Sequence, residues 1–202
     1  MIHPEKIDTL LEARWIIPVE PAGAVLRNHA IAINQGTIRA VMPGAEAHAR
    51  FAPDEHIVLG NHALIPGLVN LHAHAAMSLM RGIADDLPLM EWLGNHIWPA
   101  EARHVDSGFV FDGTRLACAE MLRGGITCFN DMYLFPEATV RAAVDAGMRA
   151  SIGMIAIDLP TAYASDADDY LAKGLALRDD YGRHPLLSFC FAPHAPYTVS
   201  DR

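Results

Sequence analysis

Cysteine is scarce in this sequence: Cys118, Cys128 and Cys190 are the only three in 202 residues. Their spacing excludes Cys-x-x-Cys chemistry and their odd number argues against a disulfide framework, so a reducing cytoplasm is the expected setting. Positive charge is short as well. Fifteen basic residues face 24 acidic ones, a formal net charge of -9, which disfavours nucleic acid and anionic membrane as partners because both would be repelled. A neutral or cationic small molecule fits better. The N-terminal stretch MIHPEKIDTLLEARW places Glu5, Lys6, Asp8, Glu12 and Arg14 where an export signal needs an apolar run, so no signal is expected. Internal repeats and low-complexity tracts are missing too.

The most informative gap runs from His56 to Met80, 25 residues without Asp, Glu, Lys or Arg. That length suits a membrane span, but Asn61, His62, Pro66, Gly67, Asn70, His72 and His74 are a polar load that hydrocarbon would reject. The expectation is a deeply buried segment of a soluble protein, cleared of charge and keeping a few polar groups for a purpose.

What is present is apolar: 51% of residues are hydrophobic, enough for one sizeable core or parts of two. Residues 1–62 read as a small β-domain, with Ile31 and Ile33 alternating before a turn at Gln35-Gly36 and Ile38 and Val41 following it. From residue 63 to 202, short apolar runs alternate with helical stretches, the pattern of βαβ units on a parallel sheet. The runs are LIPGLVNL, GITCFNDM, RASIGMIAI and PLLSFCFAPH. A helix capped by Asp106 is expected to bury Phe109, Gly113, Leu116, Ala117 and Met121 and to stop at Gly124-Gly125. Two more are expected from Pro136 to Gly147 and from Asp166 to Tyr181. Four such steps make about half of a (β/α)8 barrel, whose usual length is about 250 residues. The fold class is therefore α/β, the first half of a TIM barrel behind a small β-sandwich segment.

Chemistry in such a barrel sits at the C-terminal ends of the strands. Residues i and i+2 share one face of a strand, so His72 and His74 are expected to point together into the barrel mouth as a two-imidazole metal platform. A bare His-x-His can equally be a pair of structural histidines; the placement favours ligands. Glu101, in HIWPAE, stands in the long loop after the first strand, where it can accept hydrogen bonds from sugar hydroxyls or simply be a solvated acid. His194, in FAPHAPYT, ends the fourth strand and reads as a ligand, a substrate contact or a loop-fixing histidine. Asp131 ends the second strand and is expected to orient a neighbour. His3, His29, His48, His56, His62, His96, His104 and His184 have no such placement and read as structural or exposed. Cys118 and Cys128 read as small buried hydrophobes.

The stretches LIPGLVNLHAHAAMSLMRGIADDLPLMEWLGNHIWPAE, GGITCFNDM and FAPHAPYTVS together resemble the amidohydrolase superfamily of metal-dependent hydrolases. Within it, the likeness is to the triazine-hydrolase-like branch that holds the methylthioadenosine and S-adenosylhomocysteine deaminases. The resemblance implies one divalent metal ion, usually zinc, with His72 and His74 among its ligands, Glu101 on the ribose hydroxyls and His194 on the substrate. It implies hydrolytic loss of ammonia from a C–N bond at C6 of an adenine nucleoside, the metal supplying the nucleophile. A chlorotriazine or guanine aminohydrolase is the nearest alternative, and a non-catalytic half-barrel interaction module is the alternative of another class.

No lysine stands on the fourth strand, which matches a mononuclear rather than a carbamate-bridged site. The remaining ligands of the family, a histidine and a proton-transferring glutamate, another histidine and an aspartate, are expected beyond Arg202. The 202 residues are then expected to bind metal poorly and not to turn over alone, with no catalytic group of their own. Met154 stands where some relatives carry an arginine for the substrate tail. The resemblance leaves room for a homo-oligomer of a longer form.

Overall fold

The computed structural model describes residues 3–201. They form two compact units, Met1–Pro66 and Gly67–Arg202, each considered by itself.

In the first unit, β1 (Glu5–Ile16) is the long inner strand of a four-stranded sheet of order β3-β2-β1-β4. It pairs antiparallel with β2 (Leu26–Asn34) and parallel with β4 (Phe51–Leu64). β2 turns into β3 (Thr37–Pro43) through Gln35 and Gly36, both with positive φ (50° and 69°), the backbone that a tight two-residue hairpin requires. The hairpin is as expected, but its inner face is not. Ala30 and Ala32 are the buried residues of β2, packed with Ile7, Leu10, Phe51 and Ala47 of α1 (Gly44–Arg50), whereas Ile38 and Val41 are exposed. Small side chains face the helix because it packs closely; on the other face Ile31 and Ile33 are half-buried.

The second unit is a parallel sheet in sequence order: β5 (Leu68–Ala73), β6 (Ile126–Asp131), β7 (Arg149–Ala156) and β8 (Leu187–Pro193). Between β5 and β6 the chain makes a 3-10 turn over Ala75–Met80, α2 (Leu89–Trp92), a π-helical turn over Leu93–Ile97, α3 (Trp98–His104) and α4 (Ser107–Arg123). α5 (Pro136–Asp145) links β6 to β7, and α6 (Ala167–Tyr181) links β7 to β8. Asp106 and Asp166 cap α4 and α6 by accepting from the backbone N–H groups of Phe109 and Asp169. Parallel β-α-β steps of this kind build a barrel wall one strand at a time.

The buried stripe of α4 is Val110, Gly113, Thr114, Ala117, Cys118 and Met121, one residue out of phase with Phe109 and Leu116, the latter exposed. Gly113 sets that rotation. A Cβ on it would lie 2.5 Å from the Ala76 carbonyl oxygen, so the helix can lean on the turn after β5 only with glycine there.

The charge-free segment is not deeply buried. Leu68, Val69 and Leu71 of β5 are each more than half exposed, as is Val58 of β4. β5 is an edge strand of a sheet with two open sides, so the apolar character of the segment goes uncovered among the described residues. None of the described helices is long and apolar enough to cross a membrane.

Candidate active site

β5 ends at Ala73, so His72 belongs to the strand and His74 opens the turn that follows. Their ring centroids lie 5.0 Å apart with the planes at 83°. His74 Nδ1 sits 2.6 Å from the Met132 carbonyl oxygen. A carbonyl only accepts, so Nδ1 carries the proton and Nε2 keeps a free lone pair. The end of β6 grips this corner from its other side as well. Ala75 N–H donates to Asp131 Oδ1 at 2.7 Å, and Met132 N–H to the Ala73 carbonyl at 3.1 Å. Asp131 Oδ2 accepts from the Thr139 hydroxyl at 3.2 Å. Burial pushes the Asp131 carboxyl up to about 6, against the opposing pull of the Ala75 N–H and nearby His74. Asp131 therefore holds the backbone beside His74 rather than the imidazole itself.

Glu101 rises from α3, which starts at Trp98-Pro99. Its Oε1 accepts from the Tyr133 hydroxyl at 2.7 Å. Burial lifts the Glu101 carboxyl above the usual carboxylate range, while the Tyr133 bond and the nearby His74 pull it back. Burial and the Glu101 charge push the Tyr133 phenol upward, so it stays protonated and remains a donor.

His194 follows β8. The Thr198 hydroxyl donates to the Ala195 carbonyl at 3.2 Å, so its lone pair takes the His194 Nδ1–H at 2.8 Å and Nε2 is again left free. Burial lowers the His194 pKa, and His74 lowers it further. A neutral ring with an open acceptor results.

His74, Glu101, Tyr133 and His194 line one cavity of about 490 Å3. Trp92, Trp98, Leu89 and Leu159 contribute apolar walls to it. His72 is exposed and stands beside His74 rather than in the lining. Met154 does not face the cavity. It is buried against α6, where a Cβ on Gly174 would meet its Cβ at 2.8 Å, and Ile155 and Ile157 are the residues that look inward. Period-2 alternation puts the two on opposite sides of the sheet, so Met154 is no counterpart of a substrate-binding arginine.

Tyr133 and Thr198 escape a reading of the sequence. Tyr133 lies two residues past Asp131, beyond the end of β6, and its place just after a strand end is the signal that marks it.

Two near-perpendicular imidazoles, one fixed through Nδ1 on a carbonyl with Nε2 free, are how histidines are presented to zinc or a similar cation. The donor chemistry at His72 and His74 fits such an ion, with other coordination positions left over.

The amidohydrolase family model matches residues 63–202. The chain is 52% identical, over all of its length, to a 5-methylthioadenosine/S-adenosylhomocysteine deaminase of Saccharophagus degradans, and 45% identical over 95% to one of Thermodesulfovibrio yellowstonii. It covers 45% and 44% of those proteins, so the chain spans about half the length of the curated relatives it matches. A zinc-bound crystal structure of an adenosine deaminase from Xanthomonas campestris superposes with a TM-score of 0.96 at 51% identity, over 98% of this chain and 45% of that one. A zinc complex of an atrazine chlorohydrolase from Arthrobacter aurescens shares the fold, with a TM-score of 0.84 at 20% identity over 95% of this chain and 48% of that one. A parallel sheet in sequence order, histidines at the end of its first strand and a family match over the same residues agree: the chain belongs to the amidohydrolase family.

Proposed function

We propose that this chain carries part of the active site of a metal-dependent aminohydrolase. Its reaction replaces the 6-amino group of an adenine nucleoside, such as 5-methylthioadenosine or S-adenosylhomocysteine, by oxygen from water and releases ammonia. The observation that carries this reading is Glu101, a carboxylate held at 2.7 Å by Tyr133 in a largely apolar cavity that also takes His74 and His194. A carboxylate in such a place needs further donors, and the two neighbouring hydroxyls of a ribose supply them. The naming of the two relatives above for these substrates points the same way.

His72 and His74 are the residues that would hold the cation. Bound there, a zinc ion supplies an activated water as nucleophile. His194 offers its Nε2 lone pair to a substrate N–H or O–H. Tyr133 is a positioning residue, fixing the Glu101 carboxylate for the sugar. The tryptophan and leucine walls suit a flat base and an apolar 5′ substituent. We place the groups that move protons and complete the metal set outside these 202 residues, and the setting in a reducing cytoplasm, which the three free cysteines support.

The test is ammonia release by the zinc-loaded full-length protein from methylthioadenosine, S-adenosylhomocysteine, adenosine, guanine and a chlorotriazine. Nucleosides are the expected substrates. Glu101→Gln should raise KM for methylthioadenosine by about tenfold or more, the size of one or two charge-assisted hydrogen bonds, and Tyr133→Phe by less. Turnover confined to guanine or the triazine, or an unchanged KM in Glu101→Gln, would overturn the reading.

A further inference from the structure

Three side chains of the first unit, two of them histidines that read as structural or exposed in the sequence, converge on one point. Glu12 comes from β1, His56 from β4 and His48 from the last turn of α1. In the parallel β1–β4 pairing Leu10 lies opposite His56 and Glu12 opposite Val58. Glu12 and His56 are thus diagonal neighbours on the sheet face that carries Leu10, the face covered by α1. His56 Nε2 lies 2.6 Å and His48 Nε2 2.7 Å from the same atom, Glu12 Oε1. The two rings meet at 5.1 Å with their planes at 83°. Gly44 makes room for the carboxylate: a Cβ there would stand 3.0 Å from Glu12 Oε2.

We propose that Glu12, His48 and His56 form a binding site for one borderline divalent cation of the zinc, cobalt or nickel class. Two imidazole nitrogens and one carboxylate oxygen, donated by three different elements, are a ligand set such ions accept, with water in the remaining positions. Ligand atoms around a tetrahedral ion lie about 3.4 Å apart, given bonds of ~2.1 Å, so both N–O contacts open by roughly 0.7 to 0.8 Å when the ion enters. His48 and His56 are 51% and 37% exposed at their side chains, and can make that movement freely. Each imidazole that binds the ion through Nε2 then has its proton on Nδ1. The carboxylate cancels one of the two charges. Arg14 shares a hollow with Glu12, but its guanidinium lies over the Trp15 ring, 4.4 Å from the centroid. Bound there, the ion ties α1 to both strands.

The inference does not rest on the aminohydrolase reading, and its test removes the other histidine pair. Protein carrying His72→Gln and His74→Gln is titrated with Zn2+ against a chromophoric chelator and with Co2+ by visible absorption. One equivalent should bind and raise the melting temperature. Adding His48→Gln or His56→Gln should weaken binding at least about tenfold, while the metal-free melting temperature stays with that of the parent because both rings are surface groups. Two results would sink the proposal: no cation bound by the His72→Gln/His74→Gln protein, or binding unaltered by both further substitutions.

Discussion

At Asp131 burial and hydrogen bonding pull in opposite directions, and burial wins. The folded chain keeps its proton up to a pH of about 6, whereas a free aspartate loses it near 3.8. Between these values the native state binds more protons than the unfolded state, so stability falls as pH rises through the window, by at most about 1.4 kcal/mol per pH unit from this one group. Asp131→Asn keeps a neutral acceptor for the Ala75 N–H and should flatten that decline. Urea melts of metal-free protein at pH 4, 5 and 6 check it; equal slopes for the two proteins would contradict the assignment. His72, His74, Glu101 and His194 stand out in the sequence because each lies at or beyond a strand end in a barrel pattern. Tyr133, Thr139 and Thr198 do not, because what singles them out is a partner far away in the chain or a tautomer fixed by folding. Asp131 shows both sides: its position was legible, while its grip on the Ala75 amide was not.

The helices were readable at their ends, and the stripe expected of α4 holds at Gly113, Ala117 and Met121 but not at Leu116, which is exposed. Asp106, Asp166 and Gly147 mark boundaries through local chemistry, a cap or a positive φ, which needs no knowledge of the rest of the fold. The rotation of α4 depends on what it touches. Its hydrophobic residues are spread widely enough to allow two phases, and the contact of Gly113 with Ala76 chooses between them. The same holds for β2, where alanines rather than isoleucines face α1. Gly113→Ala should therefore destabilise the second unit by about 1–3 kcal/mol, the usual cost of forcing a methyl group into close packing. Because the Ala76 turn follows directly on His74, the same change should also disturb the cavity. Asp106→Ala, which removes a cap at the far end of the first turn, should cost about 1 kcal/mol and leave the cavity intact. Denaturant melts, with the emission of Trp92 and Trp98 as reporter of the cavity, separate the two outcomes.

For the molecule as a whole, the sheet of the second unit has two unpaired borders among the described residues. β5 shows Leu68, Val69 and Leu71 to solvent, and β8 shows Phe191. The charge-free window predicted burial because freedom from charge reflects the environment a segment has in its finished fold; four strands supply only part of that environment. Exposed apolar edge strands pair with whatever is at hand. The 202-residue chain should accordingly self-associate as its concentration rises, and Leu71→Lys with Phe191→Lys should reduce this. Light scattering over a dilution series measures both; a monodisperse, monomeric chain at high concentration would count against open borders.

Strand order in that sheet has a temporal meaning too. Among the described residues β5, β6, β7 and β8 each pair only with neighbours in the sequence, so each strand that follows β5 meets an edge already made when it leaves the ribosome. The wall can thus be laid down during synthesis itself, each helix sealing one step before the next begins, and contacts stay short along the chain where a shuffled order would demand long loops to close first.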